Sequence, residues 1–291
     1  MEEKAKKQKK RWGDRPDGRR VRDVDALHAL IPFLMPNRCD AEVFLRESID
    51  VTALKAYLAE KNAQQDFKTT VFHAVVTAAA KTIYHRPLLN RFIVGRHFYD
   101  RNAITLCFMA KKQFADHAEE VQMILEAKPE DTLSGISRHI AGDVHQARTA
   151  KKEDEDHTIE SLSHLPRWLM GILMAGFRFL EKHGWLPASL CKIDPNHTTV
   201  MLSNLGSIRC GAAYHHLNNF GTGSFFITIG YIEPRPTLMP DGSLQMRETM
   251  DLCFTVDERV ADGFYFARSI QLIKKYLTEP ALLERPIGEE E

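Results

Sequence analysis

The sequence of 291 residues lacks the marks of several common kinds of site. Its five cysteines are odd in number, widely spaced and without a C-x-x-C pair, so neither a disulfide framework nor a zinc site is expected. No group of histidine, cysteine and acidic residues has metal-ligand spacing, which predicts no metal. Gly221 and Gly223 are not followed by the remaining glycines of a dinucleotide-binding loop, and there is no P-loop motif.

The sequence also lacks an excess of either charge. Lys+Arg and Asp+Glu both number 39, which argues against a whole-protein nucleic-acid binder, so no nucleic-acid partner is expected. The charged N-terminus lacks the apolar segment of a secretory signal, so we expect a cytoplasmic protein. With 44% hydrophobic and 27% charged residues, the composition is typical of a soluble globular protein with a sizeable core.

Residues 1–22 form a basic segment of low hydrophobicity, with ten lysines and arginines against four acids. This composition predicts a flexible arm, and it is also typical of an electrostatic tether to a partner protein or an anionic surface. Residues 284–291 form an acidic tail. We therefore expect a single domain over residues 23–283.

An apolar stretch runs from Trp168 to Phe177, inside a predicted helical insertion at about residues 162–190. It has about half of the length that a membrane-spanning helix needs, so no transmembrane segment is expected. A buried or interfacial helix is the simplest interpretation. A helix that lies on a membrane or lines a channel for a hydrophobic ligand is the alternative.

Periodicity predicts a chain that mixes helices and strands. Helices are predicted near residues 24–31 and at 51–61, 69–84, 117–125, 132–146 and 263–277. Strands are predicted at 42–50, 92–97, 104–109, 198–202, 224–232 and 244–256, with a hairpin turn at 240–243. Because the connections include crossovers as well as hairpins, we predict an α/β fold, a two-layer α+β sandwich in which helices pack on a mixed sheet.

Three segments in the last third of the chain carry the candidate chemistry. Ser203-Asn204-Leu205-Gly206 follows a strand, residues 224–232 form an apolar core strand, and residues 257–263 (DERVADG) lie on a turn between a strand and a helix. This order, with 55 residues from Ser203 to Glu258, resembles the catalytic domains of 2-oxoacid dehydrogenase E2 acyltransferases and chloramphenicol acetyltransferases. Those families carry D-H-R-x-x-D-G or H-H-x-x-x-D-G at the turn. The resemblance extends over about residues 20–283 and is specific only in the C-terminal part.

The resemblance implies a CoA-dependent acyltransferase that uses coenzyme A or acyl-CoA as substrate and forms a homotrimer with its active sites between subunits. Ser203 would donate to the oxyanion, and Glu258 stands where the families keep their catalytic histidine. Asp262 would hold the loop by pairing with an N-terminal arginine, for which Arg22 is the main candidate and Arg20 the alternative. The remaining implied site residues are Asn204, Gly206, His215 and His216 in contact with substrate, and Arg259 and Gly263 in a structural role.

Glu258 is the departure that bears most on activity. Glutamate has an ordinary pKa near 4.3, against about 6.5 for histidine, so it is a poor base toward a thiol. Burial raises the pKa of a carboxyl group, so a buried Glu258 would be compatible with general base catalysis. His215 or His216 is an alternative base. The acids of this turn would also suit a cation, but an Arg259 ion pair and a helix N-terminus explain them more simply.

Three functions remain as alternatives at this point. The first is an acyltransferase that acts on an unidentified thiol or hydroxyl acceptor. The second is a catalytically impaired relative that serves as a binding protein for CoA or an acyl ligand, or as a trimeric scaffold. The third is a peripheral membrane protein that uses the basic arm and the Trp168 helix.

Overall fold

The computed structural model describes residues 11–111, 120–149 and 164–289. Its larger sheet has six strands in the order β2-β9-β8-β7-β5-β6. The strands are β2 (Glu42–Asp50), β5 (Ile104–Lys111), β6 (Glu120–Ala127), β7 (Val200–Asn204), β8 (Phe225–Leu238) and β9 (Leu244–Asp257). Strand β7 runs parallel to both β5 and β8, whereas the other pairs are antiparallel. The predicted mixed sheet is therefore confirmed.

A smaller sheet has the order β1-β4-β3, with β1 (Gly18–Arg20), β3 (Arg91–Val94) and β4 (His97–Arg101). The described helices are α1 (Ala26–Leu34), α2 (Thr52–Asn62), α3 (Val71–His85), α4 (Leu133–Thr149), α5 (Arg167–Lys182), α6 (Ala188–Ile193) and α7 (Gly263–Thr278). Asp25, Thr70 and Asp262 begin α1, α3 and α7 by accepting backbone hydrogen bonds through their side chains.

One core unites the larger sheet with the helices. Alternate residues of β9, from Met250 to Val256, are buried in a cluster with the apolar face of α3 and with Ile270 and Ile273 of α7. These residues share one face of the strand, because successive side chains point to opposite faces of a sheet. The residues between them, such as Cys253 and Thr255, are also buried, on the other face. The predicted α/β sandwich is confirmed, because helices pack on a mixed sheet.

The predicted helix at 117–125 is wrong where the structure describes it, because residues 120–127 form strand β6. Met123, Leu125 and Ala127 are buried, whereas Glu126 between the last two is exposed. That alternation has the period of a strand, and β6 pairs with β5 along its whole length. Residues 117–119 lie outside the described residues.

The predicted strand at 92–97 is also placed differently. The chain turns at Gly95 and Arg96, with φ angles of 57° and 67°, so that residues 91–94 and 97–101 form the two strands of a β3–β4 hairpin. Two consecutive residues with positive φ are the geometry of the tight hairpin turn that follows the twist of the strands. Such turns are usually recognised by residues that favour positive φ at both central positions. Here only Gly95 is of this kind, because the second position is Arg96.

The two ends of the chain are packed where the structure describes them. In the predicted arm, Gly18 to Arg20 pair with β4, and buried Arg15 donates to the carbonyl oxygen of Glu181 at 2.7 Å. Residues 1–10 lie outside the described residues. In the predicted tail, Ile287 is buried in the main core.

The predicted insertion contains the helices α5 and α6. Helix α5 leaves Trp168, Ile172 and Phe179 exposed, so it is not a buried core helix. Among the described residues, no helix has both the length and the apolar character needed to span a membrane.

Candidate functional site

The turn that follows β7 places Ser203 and its neighbours. Ser203 lies opposite Thr228 in the parallel pair of β7 and β8, and a 3-10 turn over Leu205–Ile208 follows directly. A Cβ atom at Gly206 would lie 2.6 Å from the carbonyl oxygen of Gly230 in β8. Because real Cβ atoms do not approach a carbonyl oxygen so closely, the turn packs on the sheet only with glycine at this position.

Strand β8 is irregular at the same place. Its register with β9 shifts between Ile229 and Ile232, which is a β-bulge. Bulges bend a strand and re-aim its side chains, and they are common next to active sites. Here all four residues from Ile229 to Ile232 line the cavity described next.

A cavity of about 980 Å³ opens between the Ser203 turn, the β8 bulge and the start of α3. Ser203, Asn204 and Gly206 all line it, so the structure brings three of the predicted site residues together. The remaining polar lining residues are Thr70, His73, Ser207, Arg209 and Tyr231. The volume is at the upper end of the range for small-molecule sites. The Ser203 hydroxyl has no hydrogen-bond partner within the part of the chain that the structure describes, so it is available to a ligand.

His73 is a cavity residue in the first turn of α3 that the sequence analysis did not include among the candidate site residues. It is only 7% exposed, and its Nδ1 has no hydrogen-bond partner. Burial lowers the pKa of His73 to about 4, so its imidazole is neutral at pH 7. No local sequence signal places His73 near the Ser203 turn, because only the packing of α3 on the sheet brings the two segments together.

The Glu258 turn lies at the far end of β9. Glu258 is exposed, and its backbone N–H donates to the carbonyl oxygen of Ala41 at 2.9 Å. Its neighbour Asp257 is fully buried and accepts two hydrogen bonds of 2.7 Å from Arg259. Arg259 also donates to the carbonyl oxygens of Met35 and Pro36, so it ties the turn to the end of α1. The buried Asp257–Arg259 pair therefore fixes the backbone on which Glu258 is presented.

Asp262 and Gly263 begin helix α7. Asp262 accepts a hydrogen bond of 2.7 Å from the backbone N–H of Tyr265, so it acts as the N-cap residue. Gly263 has open space around the position of a Cβ atom and does not adopt a left-handed φ. Within this chain, the start of α7 therefore does not require a glycine at position 263.

The predicted pairing of Arg22 with Asp262 is not formed among the described residues. Arg22 donates to the carbonyl oxygen of Trp12 at 2.8 Å, and the Arg20 guanidinium lies 3.0 Å from Nδ1 of His97. The reason is that β1 pairs with β4, which holds this part of the chain along the smaller sheet.

His215 and His216 are exposed and do not line the Ser203 cavity. The His215 ring stacks on Phe226 with 4.0 Å between ring centroids, and its Nδ1 donates to the carbonyl oxygen of His216 at 2.8 Å. Their segment covers the outer face of the sheet, because Thr228 donates to the carbonyl oxygen of Ala213. Within one chain, neither histidine is placed as a base beside Ser203.

Ser203 and Glu258 do not converge within one chain. Ser203 pairs with Thr228, which pairs with Cys253 of β9, and Asp257 lies four residues further along that strand. Four residues of a strand span about 13 Å, and the two strand spacings add about 10 Å sideways. The predicted base and the predicted oxyanion donor are thus too far apart to act on one carbonyl group of the same chain.

One described group brings possible metal ligands together, namely Asp17, Cys191 and His197, whose ligand atoms lie within 4.8 Å of one another. Arg15 already holds both carboxylate oxygens of Asp17, at 2.8 and 3.1 Å. His197 has one ring nitrogen 2.7 Å from Asp194 and the other 3.1 Å from Glu181. These contacts describe a buried ion-pair network that joins the insertion to the N-terminal segment.

The mixed-sheet fold, with the Ser203 turn and the Glu258 turn, is that of an acyltransferase-like domain, and comparisons with known proteins agree with this class. A sequence model of the catalytic domain of 2-oxoacid dehydrogenase acyltransferases matches residues 189–284, about a third of the chain, which include both Ser203 and Glu258. No curated protein matches the sequence significantly. The C-terminal third therefore carries the sequence pattern of that family.

Solved structures extend the likeness to the whole fold. The catalytic core of the 2-oxoacid dehydrogenase complex from Thermoplasma acidophilum is 18% identical over 90% of this chain and 99% of its own, with a TM-score of 0.56. Dihydrolipoamide acetyltransferase from Azotobacter vinelandii is 16% identical over 90% and 93%, with a TM-score of 0.59. A chloramphenicol acetyltransferase is 9% identical over 89% and 99%, with a TM-score of 0.54. The resemblance predicted from the sequence is confirmed: the chain has the fold shared by these acetyltransferases.

Proposed function

We propose that the protein is a CoA-dependent acyltransferase whose active site is built from two copies of the chain, with Ser203 from one and Glu258 from the other. The observation that carries this proposal is the cavity lined by Ser203, Asn204 and Gly206 within an acyltransferase fold. CoA or acyl-CoA would occupy this cavity. The acceptor would bring a thiol or a hydroxyl group.

The proposed reaction transfers an acyl group from the sulfur of CoA to the acceptor. Glu258 takes the proton of the acceptor thiol or hydroxyl as that atom attacks the thioester carbonyl. The Ser203 hydroxyl donates a hydrogen bond to the oxyanion that forms. The intermediate then expels the CoA sulfur, which recovers the proton from Glu258. The acyl–sulfur bond breaks and an acyl–acceptor bond replaces it, with no net change in protons.

The Azotobacter vinelandii acetyltransferase supports these assignments. In that enzyme a serine, a histidine and an asparagine have a role in the catalytic mechanism, and the last two are four positions apart. Glu258 and Asp262 are also four positions apart, and Ser203 precedes them in the same order. In the proposed site, Glu258 thus occupies the position of the histidine, and Asp262 occupies the position of the asparagine.

A homotrimer, which the resemblance implies, would supply the second copy. The separation of Ser203 and Glu258 within one chain requires some such partner if both act on one carbonyl group. The exposure of Glu258 is consistent with its use at a contact between copies, where a second chain would bury it. Burial there would raise the pKa of the carboxyl group toward that of a useful base.

The second candidate function is a catalytically impaired relative that binds CoA or an acyl ligand, or serves as a trimeric scaffold. The observation that favours it is that the exposed Glu258 side chain has no hydrogen-bond or ion-pair partner in the described residues to orient it as a base. Such a protein would keep the Ser203 cavity and lack turnover.

The test is to incubate the full chain with acetyl-CoA and dihydrolipoamide and to measure free CoA and acetylated product by chromatography. We expect turnover that falls by about 10²–10³ in Ser203→Ala and by about 10²–10⁴ in Glu258→Gln. Glu60→Gln, which changes an exposed glutamate on α2, is the matched control and should keep the full rate. If the wild type binds CoA but has no turnover, and Glu258→His gains none, the acyltransferase proposal is overturned. That result would favour the catalytically impaired binding protein.

A further inference from the structure

A second cavity of about 420 Å³ shares no lining residue with the Ser203 cavity. It lies between the end of α1, the β3–β4 turn, the last turn of α5 and residues 219–221. Its wall has five cationic side chains, Arg38, Arg96, Arg178, Lys182 and Arg259, and one acidic side chain, Glu181. Such an excess of one charge around a concave site raises the local concentration of ligands of the opposite charge.

Two buried arginines form the inner wall of this cavity. Arg38 is 4% exposed and Arg259 is 2% exposed, and both face the single carboxylate of Asp257. Arg259 holds that carboxylate at 2.7 Å with two of its nitrogens, whereas Nε of Arg38 lies 3.7 Å away and has no hydrogen-bond partner. One carboxylate thus faces two guanidinium groups, which leaves an excess of positive charge in this wall. The other two nitrogens of Arg38 donate to the carbonyl oxygens of Asn218 and Gly221, so the buried arginines contribute charge and the exposed cations contribute free donors.

Three exposed cations, Arg96, Arg178 and Lys182, lie at the opening of the cavity. None of them forms an ion pair within the described residues. Arg96 is held in place by the hairpin turn, and its guanidinium lies 4.7 Å from the ring centroid of Phe33. Arg178 and Lys182 are four residues apart on α5, a spacing at which like charges face each other and repel. A bound anion would relieve that repulsion.

Glu181 offsets only part of this charge, because it is one carboxylate against five cationic side chains and it also contacts a histidine. Its Oε1 lies 3.1 Å from Nε2 of His197, which is buried. Although burial lowers the pKa of His197, its contacts with Asp194 and Glu181 outweigh burial and raise that pKa above its ordinary value. The His197 imidazole is shared between Asp194 and Glu181, so Glu181 has a partner outside the cavity.

We infer that this cavity binds a phosphate or carboxylate group of a small molecule. Guanidinium groups match the planar or trigonal arrangement of oxyanion oxygens with paired N–H donors, and such charge-assisted bonds are strong. The cavity volume lies in the range of small-ligand sites. Because Arg259 belongs to the Glu258 turn, a ligand anchored here would lie beside that turn. The inference does not depend on acyl transfer, since it concerns binding alone.

The experiment titrates the full chain with inorganic phosphate and, separately, with citrate at constant ionic strength, and follows the thermal unfolding temperature and the heat of binding. At least one of these anions should stabilise the wild type, since a ligand that binds only the folded state raises its stability. Arg178→Glu should weaken this binding by about tenfold or more. Arg167→Glu, an identical change at the other exposed end of α5, is the matched control and should bind as the wild type does.

Two results would overturn the inference. One is that neither phosphate nor citrate stabilises the protein beyond the effect of potassium chloride. The other is that Arg167→Glu and Arg178→Glu weaken binding equally, which would show general attraction by the surface and no defined site. A further comparison, of CoA binding with pantetheine binding, identifies the source of a bound phosphate. If Arg178→Glu weakens binding of CoA but not of pantetheine, the site binds a CoA phosphate. If CoA binding is unchanged while phosphate binding falls, the site serves a separate ligand.

Discussion

At the scale of single residues, neighbouring acids in this protein have opposite environments. Asp257 is buried between two arginines, whereas Glu258, the next residue, is exposed. The first is a structural ion pair that fixes the turn. Glu258 is the proposed general base, and its strength as a base depends on whether a partner chain or a ligand covers it. The Glu258 side chain is exposed in the single chain, so a partner chain or a ligand would have to cover it.

His73 supplies a prediction about stability and pH at the same scale. Its folded-state pKa of about 4 lies below the ordinary value of about 6.5, so the unfolded state binds more protons between these two pH values. Stability that depends on neutral His73 is fully present above pH 6.5 and is lost as the pH falls toward 4. We expect His73→Gln to reduce the stability lost between pH 7 and pH 4 by roughly 2–3 kcal/mol.

The measurement is urea unfolding at several pH values for the wild type and for His73→Gln. The matched control is His164→Gln, which changes an exposed histidine that forms no ion pair among the described residues. This variant should leave the pH dependence nearly unchanged. Parallel curves for the wild type and His73→Gln would show that His73 keeps its ordinary titration in the folded protein.

At the scale of elements, the contact between the Ser203 turn and the β8 bulge is the most constrained feature of the site. In Gly206→Ala, the new methyl group would meet the carbonyl oxygen of Gly230, so the turn must shift away from the sheet. We expect a loss of about 1–3 kcal/mol in unfolding free energy, because overpacking in a tight contact costs this much. Ligand binding in the Ser203 cavity should weaken as well.

Gly142→Ala is the control for this change. Gly142 lies in α4 with open space around its Cβ position, so alanine there should stabilise the protein by roughly 0.5–1 kcal/mol through its better helix propensity. Chemical denaturation of both variants measures the difference. If both substitutions changed the free energy of unfolding by the same amount, the proposed tight contact at Gly206 would be wrong.

Elements with a strong local pattern were predictable from the sequence. β2 has the predicted bounds of 42–50, and α3 begins beside its capping residue Thr70, because alternation and capping are local signals. β6 was not predictable in the same way, since its short charged and apolar segment also suits a helix, and only pairing with β5 decides it. His73 and the basic cavity were missed because tertiary packing alone brings distant segments together.

At the scale of the whole molecule, the fold separates the two proposed catalytic side chains, Ser203 and Glu258, within a single chain. Ser203 lies on β7 beside Thr228 of β8, which pairs with Cys253 of β9, whereas Glu258 follows the end of β9, five residues beyond Cys253. In the proposed enzyme, an active assembly therefore joins the Ser203 side of one copy to the Glu258 side of another. Such a contact pairs two different surfaces, which closes into a ring when the rotation between copies is suitable.

Complementation between two inactive variants tests this claim most directly. Ser203→Ala and Glu258→Gln chains are unfolded together, refolded as a mixture, and assayed for acetyl transfer from acetyl-CoA to dihydrolipoamide. Each variant alone should be nearly inactive, whereas random mixing should restore about a quarter of the wild-type rate, since about one contact in four then combines an intact Ser203 with an intact Glu258. A mixture no more active than the two variants measured separately would contradict a site shared between copies.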